Sequence, residues 1–306
     1  MPRASHTLIQ VAIGVVVAGA VLVGGVLYPR WRQAVDTNRD ARADPHHIAG
    51  NLYFVGDPAE TSFLLLGDKG YALIGSAGQN AAHKIADNME ELGFAIKDVR
   101  MVLAAGRFDS LAELQQASGA ELWASDTSAG VIASGGTSNP NVVFTPYRLL
   151  ARAGITSFPP ARVDHRVKDN QTIRLGSLAI TAHVTPSGFD CTTWTFTVRD
   201  HDRDLRVVHR CGLEVPYKAS LVDPERPPGI RAGFEHTIGM LRKLPVDIWL
   251  TSPGREYGRF RKHQESLKAD DPAAPFIDPD GYRTSIDQAE ASFRKLLAEQ
   301  QQGQRR

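Results

Sequence analysis

Ten histidines and two cysteines carry most of the metal-binding and redox chemistry open to this 306-residue chain. Imidazole is the commonest metal ligand and the usual general base near neutral pH, so histidine spacing comes first. His46 and His47 are adjacent and would diverge on a strand, while His183 and His209 fall inside strand-like runs. None shows a recognisable ligand spacing, and each is expected to be structural or solvated. Cys191 and Cys211 flank a polar segment, Arg199 to Asp204, that reads as the turn of a hairpin. A turn centred near His201 sets the cysteines directly opposite, with Cβ atoms about 4.5–5.5 Å apart, close to what a disulfide needs. A disulfide implies an oxidising compartment; the other reading is two small buried thiols.

These residues need a scaffold, and the pattern of the chain describes one. Asn51 to Gly56, Thr61 to Leu66 and Tyr71 to Ile74 are short apolar or alternating runs punctuated by Gly, Asp and Pro, which predicts a meander of strands. Gln79 to Leu92 switches to helical spacing, with Ile85, Met89 and Leu92 on one face and Gly93 as its stop. Strand and helix then alternate: Val99 to Leu103, Leu111 to Ala117, Glu121 to Ala124, Asp126 to Ile132. Gln171 to Leu175, Leu178 to Val184, Thr192 to Val198 and Leu205 to Arg210 return to strand character. A helix over Arg231 to Leu241, a strand at Asp247 to Leu250 and a last helix from Asp278 to Glu299 complete the series. This order predicts two sheets faced by helices.

Lys and Arg total 35 against 34 Asp and Glu, so no basic field exists to neutralise a nucleic-acid backbone, and nucleic acid is not an expected partner. The one sharp break in composition is Leu8 to Leu27, apolar apart from Gln10 and free of charge. Its length matches the roughly 20 residues needed to cross a bilayer, and no small-residue cleavage site follows it, which favours an anchor over a cleaved signal segment. The expected organisation is therefore a tail (1–7), a transmembrane anchor or signal segment (8–28), a polar linker (29–45) and one folded domain (46–306). Arg30, Arg32, Arg39 and Arg42 after the span favour a cytoplasmic domain, whereas a cysteine pair favours the periplasm, which is the location expected here.

Read together and in order, HHIAGNLYFVG, NMEELGFAIKDVRMVLAA, TAHVTPSGFDCTTWTF, PPGIRAGFEHTIGMLRKLPVDIWLTSPGREYGRFRK and APFIDPDGYRTSIDQAEASFRKLLAEQ resemble the metallo-β-lactamase superfamily, specifically its B3 subclass, over about residues 46 to 300. The resemblance implies an α+β, four-layer αβ/βα sandwich, two zinc ions and a hydrolase. It also shows what is missing. Where the family's His-x-His-x-Asp-His motif supplies zinc ligands, this chain has Ala105, Gly106, Arg107, Phe108, Asp109 and Ser110. Gly188 stands where the next histidine is expected and Pro253 where the last is, so of six ligand positions only Asp109 keeps a metal donor. The family's Leu-Ile-Asp-Thr-Gly reads Leu73-Ile74-Gly75-Ser76-Ala77, and Gly212 replaces a serine.

Catalytic zinc needs about three protein ligands plus an open position for water, and it is the zinc that makes that water a nucleophile near neutral pH. No cofactor is therefore expected, and the expected function is that of a non-catalytic pseudoenzyme with a cleft for a small molecule or a protein. The alternative carried by the resemblance is a residual zinc-dependent hydrolase of the β-lactamase or lactonase type. Arg107, two residues from Asp109, would place a guanidinium where a zinc cation is otherwise expected. Arg107, Asp109, Ser110, Ser187 and Ser252 are the candidate cleft residues. The three serines fall on the loops around the former site, but no histidine base accompanies them in a recognisable motif.

Overall fold

Alternate residues along three neighbouring strands go to two different cores. In β3 (Phe63–Gly67), β4 (Gly70–Ile74) and β5 (Val99–Leu103), the side chains of Phe63, Leu65, Ala72, Ile74, Met101 and Leu103 join one core, and Leu64, Leu73 and Val102 join the other. Successive strand residues face opposite sides, so a sheet covered on both faces reads as a nearly continuous apolar run. The computed structural model describes residues 44–57, 60–75, 78, 81–139, 157–186, 191–215, 219–223 and 229–304. The anchor expected at 8–28 and residues 29–43 of its linker lie outside the described residues; among those that are described, no helix is long and apolar enough to cross a membrane.

The first sheet runs β1 (His46–Ala49), β2 (Leu52–Phe54), β3, β4, β5, β6 (Glu121–Ser125), β7 (His165–Val167) in spatial order. Strands β1 to β4 form an antiparallel meander, and β4 to β7 are parallel. Parallel neighbours need long crossovers, supplied by α1 (Ala81–Glu91), α2 (Leu111–Ser118) and, in the last connection, α3 (Asp126–Ala133). Their apolar faces, including Ile85, Met89, Leu111, Leu114, Val131 and Ile132, fill the outer core. The chain leaves α1 through Gly93, whose φ of +82° is a left-handed conformation that only glycine adopts freely.

The second sheet has β8 (Gln171–Leu175), β9 (Leu178–Val184), β10 (Thr192–Asp200), β11 (Arg203–Cys211) and β12 (Ile248–Ser252), ordered β12-β11-β10-β9-β8. Its inner residues, among them Ile180, Trp194, Phe196 and Val207, meet the first sheet in the central core. Phe234 and Ile238 of α4 (Ile230–Leu241) and Ile286 and Phe293 of α6 (Pro279–Gln304) join the same apolar cluster from the far side. Helix, sheet, sheet, helix is the expected four-layer αβ/βα sandwich. A helix not foreseen, α5 (Arg259–Ser266), packs Arg259, Lys262 and His263 inward. Its charged sequence hides it from a hydrophobic-periodicity reading.

The β10–β11 hairpin corrects the expected register. Trp194 pairs with His209 and Asp200 with Arg203, so the turn centres between His201 and Asp202, half a residue later than expected. The cysteines are thus offset by one position rather than directly opposed. They still form a disulfide, with Cα atoms 6.3 Å apart, because Cys191 lies just outside the ladder that begins at Thr192.

Candidate functional site

The carboxyl ends of β4, β5, β11 and β12 meet at one edge of the sandwich, the position where open α/β sheets place ligands. Gly75 follows β4, Ala105 to Arg107 follow β5, His209 to Cys211 end β11, and Ser252 ends β12 before Pro253. With Glu60, Thr61 and Glu256 they line a cleft of about 360 Å³. Glu60, Arg107, Glu214, Arg255 and Glu256 give its lining charges of both signs.

Three contacts hold the loop that carries the altered metal motif. The Nε1–H of Trp194, a fully buried residue, donates to the Ala104 carbonyl at 3.0 Å. The Thr192 N–H donates to the Ala105 carbonyl at 2.8 Å. Gly106 lies against the disulfide, and a Cβ added there would sit 2.6 Å from Cys211 Sγ. Cys211 Sγ is also 3.1 Å from the Ala105 carbonyl oxygen, a contact rather than a hydrogen bond because disulfide sulfur carries no hydrogen.

Arg107 lies at the centre of the altered motif. Its Nε is 3.1 Å from Glu60 Oε2 and 3.5 Å from Asp109 Oδ2, so a guanidinium bridges two carboxylates. Glu60 also accepts from Ser252 Oγ at 3.5 Å, and Thr61 donates its N–H to Ser252 Oγ and its hydroxyl to the Thr251 carbonyl. These bonds tie the loop before β3 to the end of β12, across the two sheets. Of the other candidates, Ser110 is wholly buried at the start of α2 and does not line the cleft. Ser187 and Gly188 lie outside the described residues.

His209, expected within a strand away from the site loops, lies in β11 but forms part of the cleft wall. It is completely buried, neither ring nitrogen has a hydrogen-bond partner among the described residues, and burial holds its pKa down to about 3. The ring is therefore neutral and packs edge-on against Phe63. Arg210 alternates to the opposite face, where it donates to the Cys211 carbonyl, Glu256 and Ser285 Oγ, with its guanidinium carbon 5.2 Å from the Trp249 ring centre. Burial pushes the Glu256 carboxyl upward although Arg210 beside it pulls the other way. Glu60, Arg210 and Glu256 belong to no motif, so nothing in their spacing announced them.

Zinc, which the family implies, does not fit these residues. Ala105 and Pro253 offer no side-chain donor, Gly188 has no side chain at all, and the Asp109 carboxylate is paired with Arg107. Among the described residues no group of three or more His, Cys, Asp or Glu is placed to hold a metal ion.

Fold and cleft together define an αβ/βα sandwich of the metallohydrolase type with an altered metal site. No family profile matches the chain. Solved structures do. The native FEZ-1 metallo-β-lactamase from Legionella gormanii is 30% identical, covering 85% of this chain and 97% of that one with a TM-score of 0.76. A metallo-β-lactamase from Cronobacter sakazakii is 26% identical over 87% of this chain and 98% of that one, TM-score 0.77. The class B3 di-zinc enzyme LRA-12 from an Alaskan soil metagenome, 24% identical over 85% and 96%, TM-score 0.76, shares the fold. The chain belongs to the metallo-β-lactamase superfamily, as a B3-like member with degenerate metal-binding motifs.

Proposed function

We propose that this chain is a membrane-tethered pseudoenzyme that binds a ligand in its cleft instead of hydrolysing one. The observation that carries this reading is the Arg107 guanidinium held between Glu60 and Asp109. A permanent cation there offsets the Asp109 carboxylate and disfavours a second cation beside it, and without zinc the family's chemistry has no activated water. The cleft volume falls in the range of small-molecule sites, about 300–1,000 Å³, which supports a small molecule as the ligand in preference to a protein. The apolar segment at 8–28 supports the tether, and the Cys191–Cys211 disulfide supports an oxidising, periplasmic location for the domain.

A second reading has one observation behind it. The Cronobacter protein is described by a HARLDQ motif, with arginine third and aspartate fifth, as Arg107 and Asp109 stand in Ala105 to Ser110 here. An altered-ligand hydrolase would show turnover of a chromogenic β-lactam that rises with added zinc and disappears with a chelator. The pseudoenzyme reading expects no zinc-dependent turnover at any zinc concentration.

A further inference from the structure

Among the described residues two large apolar side chains stand exposed, Phe260 (69%) and Leu267 (68%). Scattered apolar surface residues need no explanation, but these two are seven positions apart on α5 and its C-cap, and so share one helix face. Arg261 and Lys268, also seven positions apart, lie along one flank of that face, and Arg255 precedes the helix; all three are exposed. The exposed acids in this stretch are Glu265, ion-paired with Arg261, and Asp270. The opposite face is fixed inward, with Lys262 on Asp278 at 2.8 Å and the His263 ring stacked 3.9 Å from that of His46.

That stack locates the entry of the chain into the domain. His46 opens β1 and its Nδ1 bonds the Asp44 carbonyl, so the polar linker arrives beside the middle of α5. Seventeen residues separate the anchor expected at 8–28 from His46, and 17 residues reach at most about 60 Å even fully extended. On the tether reading, that length bounds how far His46 can stand from the bilayer. It also raises effective concentration, so a weak contact suffices.

We propose that the Phe260–Leu267 face of α5 docks on the lipid bilayer that holds the anchor, with both apolar side chains in the interface and Arg261 and Lys268 on anionic headgroups. This rests on the membrane-tether reading above. Docking fixes the orientation of the domain relative to the membrane.

The test uses the full-length chain with its disulfide intact, which leaves no free cysteine. A fluorophore is attached at Gln264→Cys, between the two apolar residues, or at Glu121→Cys on β6, five strands across the sheet from β1. Each protein is reconstituted in vesicles of phosphatidylcholine, with or without phosphatidylglycerol, containing nitroxide lipids. The expected result is flotation of both proteins and quenching at position 264 but not at 121, strongest with phosphatidylglycerol. Arg261→Gln with Lys268→Gln lowers docking about fivefold per cation removed, and Phe260→Ser with Leu267→Ser abolishes it. Flotation with equal signals at 264 and 121 overturns the docking and leaves the tether standing. Quenching that survives loss of Phe260 and Leu267 also overturns it. Failure to float overturns the tether and the docking with it.

Discussion

Gly106→Ala places a methyl group against the disulfide. The added Cβ would lie 2.6 Å from Cys211 Sγ, 3.6 Å from Cys211 Cβ and 3.8 Å from Cys191 Sγ. Neither side yields easily: the sulfur is cross-linked between two strands, and the loop is held by Trp194 at Ala104 and by Thr192 at Ala105. Overpacking of this kind costs about 1–3 kcal/mol, which lowers Tm by roughly 3–10 °C for a domain of this size. The assay is urea unfolding of oxidised protein, repeated with Cys191→Ala and Cys211→Ala together. That background loses about 3 kcal/mol with its disulfide, given a separation of 20 residues, but it also loses the clash. There Gly106→Ala should cost less than about 0.5 kcal/mol, a coupling of at least about 0.5 kcal/mol, as expected for residues in contact. Equal costs in both backgrounds would refute the claim that disulfide and altered motif pack as one unit.

Acid should destabilise the fold through His46 and His209, whose pKa values burial holds near 3. Between about pH 3 and 6.5 the unfolded chain binds protons that the folded chain refuses, so stability is full above 6.5 and falls with pH, by up to about 2 kcal/mol for each histidine at pH 5. Urea melts at pH 7.5 and 5.0 measure this, and equal midpoints would show that these rings are not held neutral. Trp194→Phe leaves the Ala104 carbonyl without its donor and should cost about 1–3 kcal/mol in the same melts. Asp278→Ala strands the buried Lys262 ammonium and should cost about 3–5 kcal/mol, whereas Lys262→Met should cost far less; the reverse order contradicts the burial argument. Arg107→Ala removes a half-exposed ion pair and should change stability by less than about 1 kcal/mol, which thermal melts will check.

How much of this was readable beforehand differs by element. Strands β3, β4 and β5 announced themselves because a sheet buried on both faces leaves an apolar run with breaks at Gly and Asp. Helix α1 did so because Ile85, Met89 and Gly93 mark one face and a stop. Helix α5 did not, since its inward face is built from Arg259, Lys262 and His263, whose burial depends on partners such as Asp278 and Phe54 that are distant in sequence. The altered motif was legible only through the family resemblance, which sets Ala105 to Ser110 against the family's metal motif, but Glu60, the second carboxylate on Arg107, comes from a loop with no signature. The cysteine pairing was legible while its register was not. A half-residue shift in the turn centre moves cross-strand partners without changing the hydrophobic pattern.

Zinc stoichiometry tests the central claim most directly. The full-length chain, purified with excess zinc and then dialysed, is measured for bound metal by elemental analysis. With Asp109 the only metal donor at the six positions where the resemblance expects ligands, fewer than about 0.1 equivalents should remain, since a stable site needs about three or four protein ligands. One or two tightly held zinc ions per chain would contradict the account and restore hydrolysis as the leading function.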